Sequence, residues 1–253
     1  MQLLVHTLDL MFKIFKLILV LFLIPFTAIG APFGGMPFSF WKYAPTLYYA
    51  GSFDGTSTSN LTVPSFTMSY AGDFTVECWF KTTTSTTYAC IYSDETSGTG
   101  GTILLNNGSN NGQITVYIGT TINNFNSNSY TNLNDGNWHY VALSRTGSSL
   151  YLFIDGNLAN STTASGTLAG NSTFRIGDSF FTPRYFNGLI SNFRVNFSGL
   201  YTSNFSVPTS PLTAIANTQL LTCESSTFID LSSNAYSISN SGSATISSST
   251  TYP

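Results

Sequence analysis

The stretch from Asp135 to Gly156, DGNWHYVALSRTGSSLYLFIDG, constrains the fold more than any other part of this chain. Its first half alternates with a period of two. Trp138, Tyr140, Ala142 and Ser144 share one face, while His139, Val141, Leu143 and Arg145 share the other. In the second half Tyr151, Phe153 and Asp155 alternate with Leu152 and Ile154. Between the halves, Thr146-Gly147-Ser148-Ser149 supplies a glycine that tolerates positive φ, and Asp155-Gly156 is a second turn signal. The segment reads as a β-hairpin in a layered sheet.

Short strand patterns recur along the chain at 47–53, 61–63, 74–80, 88–92, 102–105, 114–118, 173–176, 189–195 and 219–223, with weaker ones near Phe228, Ile238 and Ile246. Beyond the N-terminal region no long stretch has a helical period with caps. Many short strands separated by turn residues predict an all-β, antiparallel two-sheet sandwich or jelly roll spanning 47–253 as one domain.

Charge narrows the functions open to it. Asp, Glu, Lys and Arg make up 8% of the 253 residues, with a formal net charge of -3, against about 25% in an ordinary soluble domain. Ser, Thr and Asn must wet the surface instead. Beyond residue 16 the cations are Lys42, Lys81, Arg145, Arg175, Arg184 and Arg194, too dispersed to grip a phosphate backbone. Nucleic acid is therefore set aside as a partner.

The N-terminus has its own logic. Lys13 and Lys16 precede the apolar run 17–24, which is followed by Pro25 and by Ala28-Ile29-Gly30 at a cleavage-site spacing. Residues 1–30 read as a signal peptide cleaved before Ala31, or, retained across 17–41, as a membrane anchor. Residues 31–46 form a Pro-, Gly- and aromatic-rich lead-in. Either reading exports the body of the protein. Sequons at Asn60, Asn107, Asn160, Asn171, Asn196 and Asn204 are candidate glycosylation sites, or the chance product of an Asn/Ser/Thr-rich composition.

Cysteines are few: Cys78, Cys90 and Cys223. A hairpin turning about Thr84 would set Cys78 opposite Cys90, within reach of a disulfide; alternatively both are small core residues. Cys223 reads as a buried free thiol.

Six motifs then arrive in a familiar order: Phe53-Asp-Gly-Thr-Ser with Leu61-Thr-Val-Pro64, Asp73-Phe-Thr-Val-Glu-Cys-Trp-Phe80, Asp135 to Ala142, Leu150 to Gly156, Ile176-Gly177, and Phe186 to Arg194. This series resembles laminin G-like domains of the concanavalin A-like lectin/glucanase superfamily, over about residues 48–240. The tail from Leu200 to Asp230 is similar to the version found in structural proteins of phages and large viruses and in microbial surface proteins. The resemblance implies a jelly roll whose usual work is binding glycans or other surfaces. It also implies rim-loop calcium, for which Asp54, Asp73 and Asp178 are the candidate ligands, although the family's frequent acidic pair is here Ser191-Asn192. Trp79 and Trp138 are expected in the core, and Gly188 marks a bend at the start of a long strand.

Catalysis finds little support. Glucan hydrolysis on this superfold needs paired carboxylates on one strand face, whereas Glu77, Glu95 and Glu224 stand apart in sequence. The one histidine beyond the N-terminal region, His139, lies mid-strand without a nucleophile in sight, and three dispersed cysteines with one histidine do not make a zinc site. No catalytic residue is assigned. Sugar recognition asks for an aromatic ring beside planar donors. The segment 178–185 offers Asp178, Phe180, Phe181, Arg184 and Tyr185; a second, at 123–130, offers Phe125 and Tyr130 among amides. Phe197, Tyr201 and Phe205 read as pins for a long connection.

Two functional expectations follow. One is a non-enzymatic, exported, lectin-like recognition module binding carbohydrate or another surface through rim loops. The other is a structural protein of a virion or extracellular assembly, packing against a coat protein or further copies of itself, and touching membrane only through an uncleaved N-terminus.

Overall fold

The structure is a computed structural model that describes residues 45–253 apart from 97, 110, 165–169, 173, 182 and 183. The signal or anchor segment, most of the lead-in and Thr173 lie outside the described residues.

Fifteen strands are formed among the described residues. In chain order they are Tyr48–Asp54 (β1), Leu61–Val63 (β2), Phe74–Lys81 (β3), Ala89–Ser93 (β4), Gly101–Leu105 (β5), Ile114–Ile118 (β6), Ile122–Asn126 (β7) and Trp138–Thr146 (β8). They continue with Ser149–Ile154 (β9), Asn157–Thr163 (β10), Phe174–Ile176 (β11), Asn187–Asn196 (β12), Thr218–Thr222 (β13), Ser239–Asn240 (β14) and Thr245–Ser249 (β15). Every pairing is antiparallel. An eight-stranded sheet runs β10-β9-β8-β3-β12-β1-β15, with β13 also on β12; a seven-stranded sheet runs β14-β2-β11-β4-β5-β6-β7. The predicted two-sheet sandwich is the fold.

The hairpin read from sequence is β8–β9, in register from Val141 opposite Ile154 to Thr146 opposite Ser149. Val141, Leu143, Leu152 and Ile154 enter the core between the sheets, while Tyr140, Ala142 and Phe153 face the other way. Asp73 tethers the turn, its Oδ1 accepting from the Gly147 N–H at 2.7 Å. At the centre of the core Tyr92 stacks on Phe174 with centroids 5.1 Å apart, and Phe193 from the opposite sheet meets Phe174 edge-on at 5.9 Å. Rings so buried contribute roughly 1.5–3 kcal/mol each by area alone.

Two strands were not legible. Ile122–Asn126 and Asn157–Thr163 alternate too weakly to signal, because β7 and β10 are edge strands whose pairing rests on backbone groups. The hairpin about Thr84 does not form. Cys78 on β3 faces the core of one sheet, Cys90 on β4 belongs to the other sheet, and all three thiols are free and buried, which corrects the disulfide. Gly188 does what its position implied: at φ 151° it crosses the end of β3, where a Cβ would press into the Lys81 carbonyl and Thr82.

Outside the eight-stranded sheet lies a second, smaller apolar layer. Tyr201 and Phe205, from the connection between β12 and β13, stack at 3.7 Å and cover Phe153 and Tyr140, the pinning role expected of them. Trp79 belongs to this layer rather than to the core between the sheets, and Trp138 only packs against its edge.

Candidate functional site

Alternation on the seven-stranded sheet sends Ile103, Val116 and Phe125 inward, so Thr102, Leu104, Thr115, Tyr117 and Asn124 face out. Two loops rise beside that outer face. The first, before β4, is stapled by Asn106. This buried residue at φ 59° donates to the Thr84 and Thr86 carbonyls (3.1 and 3.0 Å), and its carbonyl accepts from the Tyr88 N–H at 3.1 Å. The staple holds Tyr88 at φ 60°, a conformation uncommon for a bulky residue and typical of positions fixed by function. The second loop, after β11, is closed by the Phe186 N–H on the Gly177 carbonyl at 3.0 Å.

The loops meet at Arg184. Its guanidinium lies 5.2 Å from the Tyr88 ring and 5.0 Å from the Phe181 ring, with Nη1 3.7 Å from Glu95 Oε2. Burial pushes the Glu95 carboxyl up, and the Arg184 charge opposes that shift. Beyond Tyr88 the surface continues into amides. The Tyr88 hydroxyl comes beside Gly108, and Asn107 Nδ2 donates to Tyr117 Oη at 2.7 Å and to Asn124 Oδ1 at 2.9 Å. On the other side Arg175 lies 4.0 Å over Phe180. The result is one strip of rings, guanidinium groups and amides from Phe180 to Asn124. Phe181, at 38% exposure, stands out from it. Three buried polar atoms on or beside the strip, Thr115 Oγ1, Arg175 Nε and Glu95 Oε2, have no hydrogen-bond partner.

The residues predicted as ligands divide here. Phe180, Phe181 and Arg184 lie on the strip, and Tyr185 is half-buried next to it. Asp178 does not face outward: it is 3% exposed, Oδ2 is 3.0 Å from Arg175 Nη1, and Oδ1 accepts from the Ser179 N–H at 2.6 Å. Burial raises its pKa, against those two contacts. From the second predicted loop, Phe125 is in the core and Tyr130 packs against it, while the neighbouring amides of β7 take the outer face. Sequence reasoning missed Tyr88, Glu95 and Tyr117. Tyr117 had a signal in the β6 alternation; Tyr88 had none.

The calcium set does not assemble. Asp54 ends β1 and binds the Thr56 N–H and hydroxyl, Asp73 precedes β3 at the other end of the sheet and holds the β8–β9 turn, and Asp178 is paired with Arg175. Among the described residues no three acidic, cysteine or histidine side chains are grouped to hold a metal. His139 sits between Asp135 Oδ1 (3.2 Å) and Asp155 Oδ2 (2.9 Å), tying a loop to the turn after β9.

Two sequons are closed by the fold. Asn60 is buried with its Nδ2 on the Ser57 carbonyl, and Asn196 is fully buried on β12 with its Nδ2 on the Ala216 carbonyl, so neither amide is open to a glycan. Asn107, Asn160 and Asn171 are half-buried with their Nδ2 groups bonded, and Asn204 is exposed.

A family model of laminin G-like domains, described as concanavalin A-like lectin/glucanases superfamily, matches residues 54–198. The chain belongs to that superfamily. Among solved structures, this laminin G-like domain is similar to a Bacteroides ovatus protein carrying a carbohydrate-binding assignment, at TM-score 0.57 and 16% identity over 79% of this chain and 60% of that one. The domain thus spans less than two thirds of that relative's length. It also resembles domains LG4-5 of the mouse laminin alpha1 chain (TM-score 0.45, 15% identity, 64% and 47% covered). A further likeness is to domain 4 of the extracellular arabinanase AbnA of Geobacillus stearothermophilus, solved with arabinotriose (0.48, 20%, 62% and 78%). No curated protein matches the sequence.

Proposed function

We propose that this laminin G-like domain is a non-enzymatic recognition module that binds carbohydrate on the outer face of its seven-stranded sheet. Phe181 and the Arg184–Tyr88 stack offer flat faces to a sugar ring, and Asn107, Tyr117 and Asn124 offer donors and acceptors to its hydroxyls. The observation that carries the reading is the continuity of this strip. The carbohydrate-binding assignment of the Bacteroides ovatus neighbour agrees in class. Glu95 is held by an ion pair to Arg184, and Glu77, on the outer side of the eight-stranded sheet, is enclosed under the connection that follows β12; among the described residues neither has a second carboxylate across an open cleft, the arrangement glycoside hydrolysis requires. Export of the domain rests on the residue pattern of 1–30.

A glycan array probed with the full chain, followed by calorimetry on the best hit, tests this. Saturable binding that falls at least about tenfold in Phe181→Ala and Arg184→Ala is expected. Unaltered binding in both variants moves the site elsewhere, and release of reducing ends from the hit overturns the non-enzymatic assignment.

A further inference from the structure

The outer face of the eight-stranded sheet holds a cavity of about 130 Å³ that the strip just described does not use. Strand register builds its floor: Lys81 on β3 lies between Trp138 on β8 and Leu189 on β12. Tyr48, Ser247 and Thr251 line the sides. Pockets that enclose drug-sized ligands run to roughly 300–1,000 Å³, so this one has room for a single ring and its substituent.

The charges single out Lys81. Arg194 is paired with Glu77, Arg175 with Asp178 and Arg184 with Glu95, while Arg145 donates to the Gly147, Tyr70 and Ala164 carbonyls. Lys81 is the one cation among the described residues with no carboxylate or carbonyl on its ammonium. It is half-buried beside an indole. Lys81 thus brings a positive charge to the cavity with no counter-charge beside it, and an arriving anion can pair with it. Trp138 is half-buried rather than packed away, which leaves its ring a surface on which a sugar can stack.

We propose that this cavity is a second binding site, for one acidic sugar unit: the ring lies on Trp138, its anionic substituent pairs with Lys81, and its hydroxyls meet Ser247 and Tyr48. A carboxylate and a sulfate ester satisfy the same chemistry. The site is independent of the strip on the other sheet.

Calorimetry on the full chain with a glucuronate-containing tetrasaccharide, its carboxyl-reduced neutral counterpart and a sulfated tetrasaccharide tests the proposal. Binding of at least one acidic probe is expected. It weakens tenfold or more in Lys81→Met and in Trp138→Ala and is reduced by added salt. Which acidic probe binds identifies the anion. Two results overturn the proposal: equal binding of the neutral and acidic probes, or acidic binding that survives Lys81→Met but is lost in Arg184→Ala. Should Lys81→Met misfold by circular dichroism, an acidic probe on the native protein must shift the Trp138 indole N–H resonance in NMR. A resonance that stays in place overturns the site.

Discussion

Arg194 holds Glu77 through one carboxylate oxygen, with Nε and Nη2 2.7 and 2.6 Å from Oε1, while both side chains are buried beneath the connection that follows β12. The other oxygen, Oε2, accepts from the Tyr140 and Tyr201 hydroxyls at 2.5 and 2.8 Å, and Arg194 Nη1 reaches the Thr213 carbonyl. The pair therefore ties three adjacent strands, β8, β3 and β12, to the segment that covers them. Removing one partner strands the other charge. Glu77→Ala is expected to cost about 3–5 kcal/mol, and Tyr201→Phe about 1–2, by urea unfolding. A Glu77→Ala cost below about 1 kcal/mol would show that the cluster does not hold the connection down.

Glu224 sits near this cluster with its Oε2 buried and unpartnered, and burial raises its pKa to about 7 in spite of Arg194. The folded state thus holds a proton that the unfolded state releases near the ordinary glutamate value. Stability from this group is greatest below about pH 4.5 and declines as pH rises toward 7. Glu224→Gln should raise Tm by roughly 2–4 °C at about pH 8, the shift that about 1 kcal/mol gives a domain of this size. It should change Tm little at about pH 4.5. Equal effects at both values would remove Glu224 as the cause.

His139 loses stability in the same pH direction, but here the protonated form that is favoured is the charged one. Its hydrogen bond to Asp155 Oδ2, with Asp135 on the other ring nitrogen, raises its pKa despite partial burial. The charged form is the one stabilised, so its contribution is complete below about pH 6.5 and is lost as pH rises through the folded value. Thermal melts of His139→Ala should fall further below the parent at about pH 5.5 than at about pH 9. A gap that does not change with pH would leave His139 a packing residue alone.

On the proposed sugar face, Tyr117→Phe deletes the acceptor of the Asn107 amide, and Asn107→Ala deletes the donor to both Tyr117 and Asn124. Each should weaken glycan binding by roughly 3- to 10-fold, the size of one hydrogen bond, with unfolding midpoints near those of the parent. Retained affinity in both would confine the ligand to the Arg184 end of the strip.

For the N-terminal segment the expectation is cleavage before Ala31, and intact-mass measurement of the secreted protein reads it directly. A product beginning at Met1 and recovered with membranes would identify an anchor instead.

Much of the scaffold was legible along the chain. The strands at 61–63, 74–81, 114–118 and 187–196 stand within two residues of where alternation put them, because their inward positions are large and apolar. Edge strands β7 and β10 were not, since Asn and Ser on both faces leave no period to detect. The candidate strip was half legible. Phe181 and Arg184 fell in a loop that sequence could nominate, but Asp178 from the same loop turned inward to Arg175. Tyr88 escaped notice because the staple that lifts it comes from Asn106, on a different strand connection.

The residue pattern by itself determined that the chain forms two antiparallel sheets and how the side chains of each strand divide between its two faces, because a period of two partitions each strand before any partner is chosen. Only the tertiary structure decided which strands are neighbours. That choice put Cys78 and Cys90 in different sheets, gathered Tyr88, Arg184, Asn107 and Tyr117 on one face, and set Lys81 beside Trp138 without a counter-ion. The physical reason is that alternation is a local property of each strand, whereas a binding face is made by register and by loops closing from distant parts of the chain.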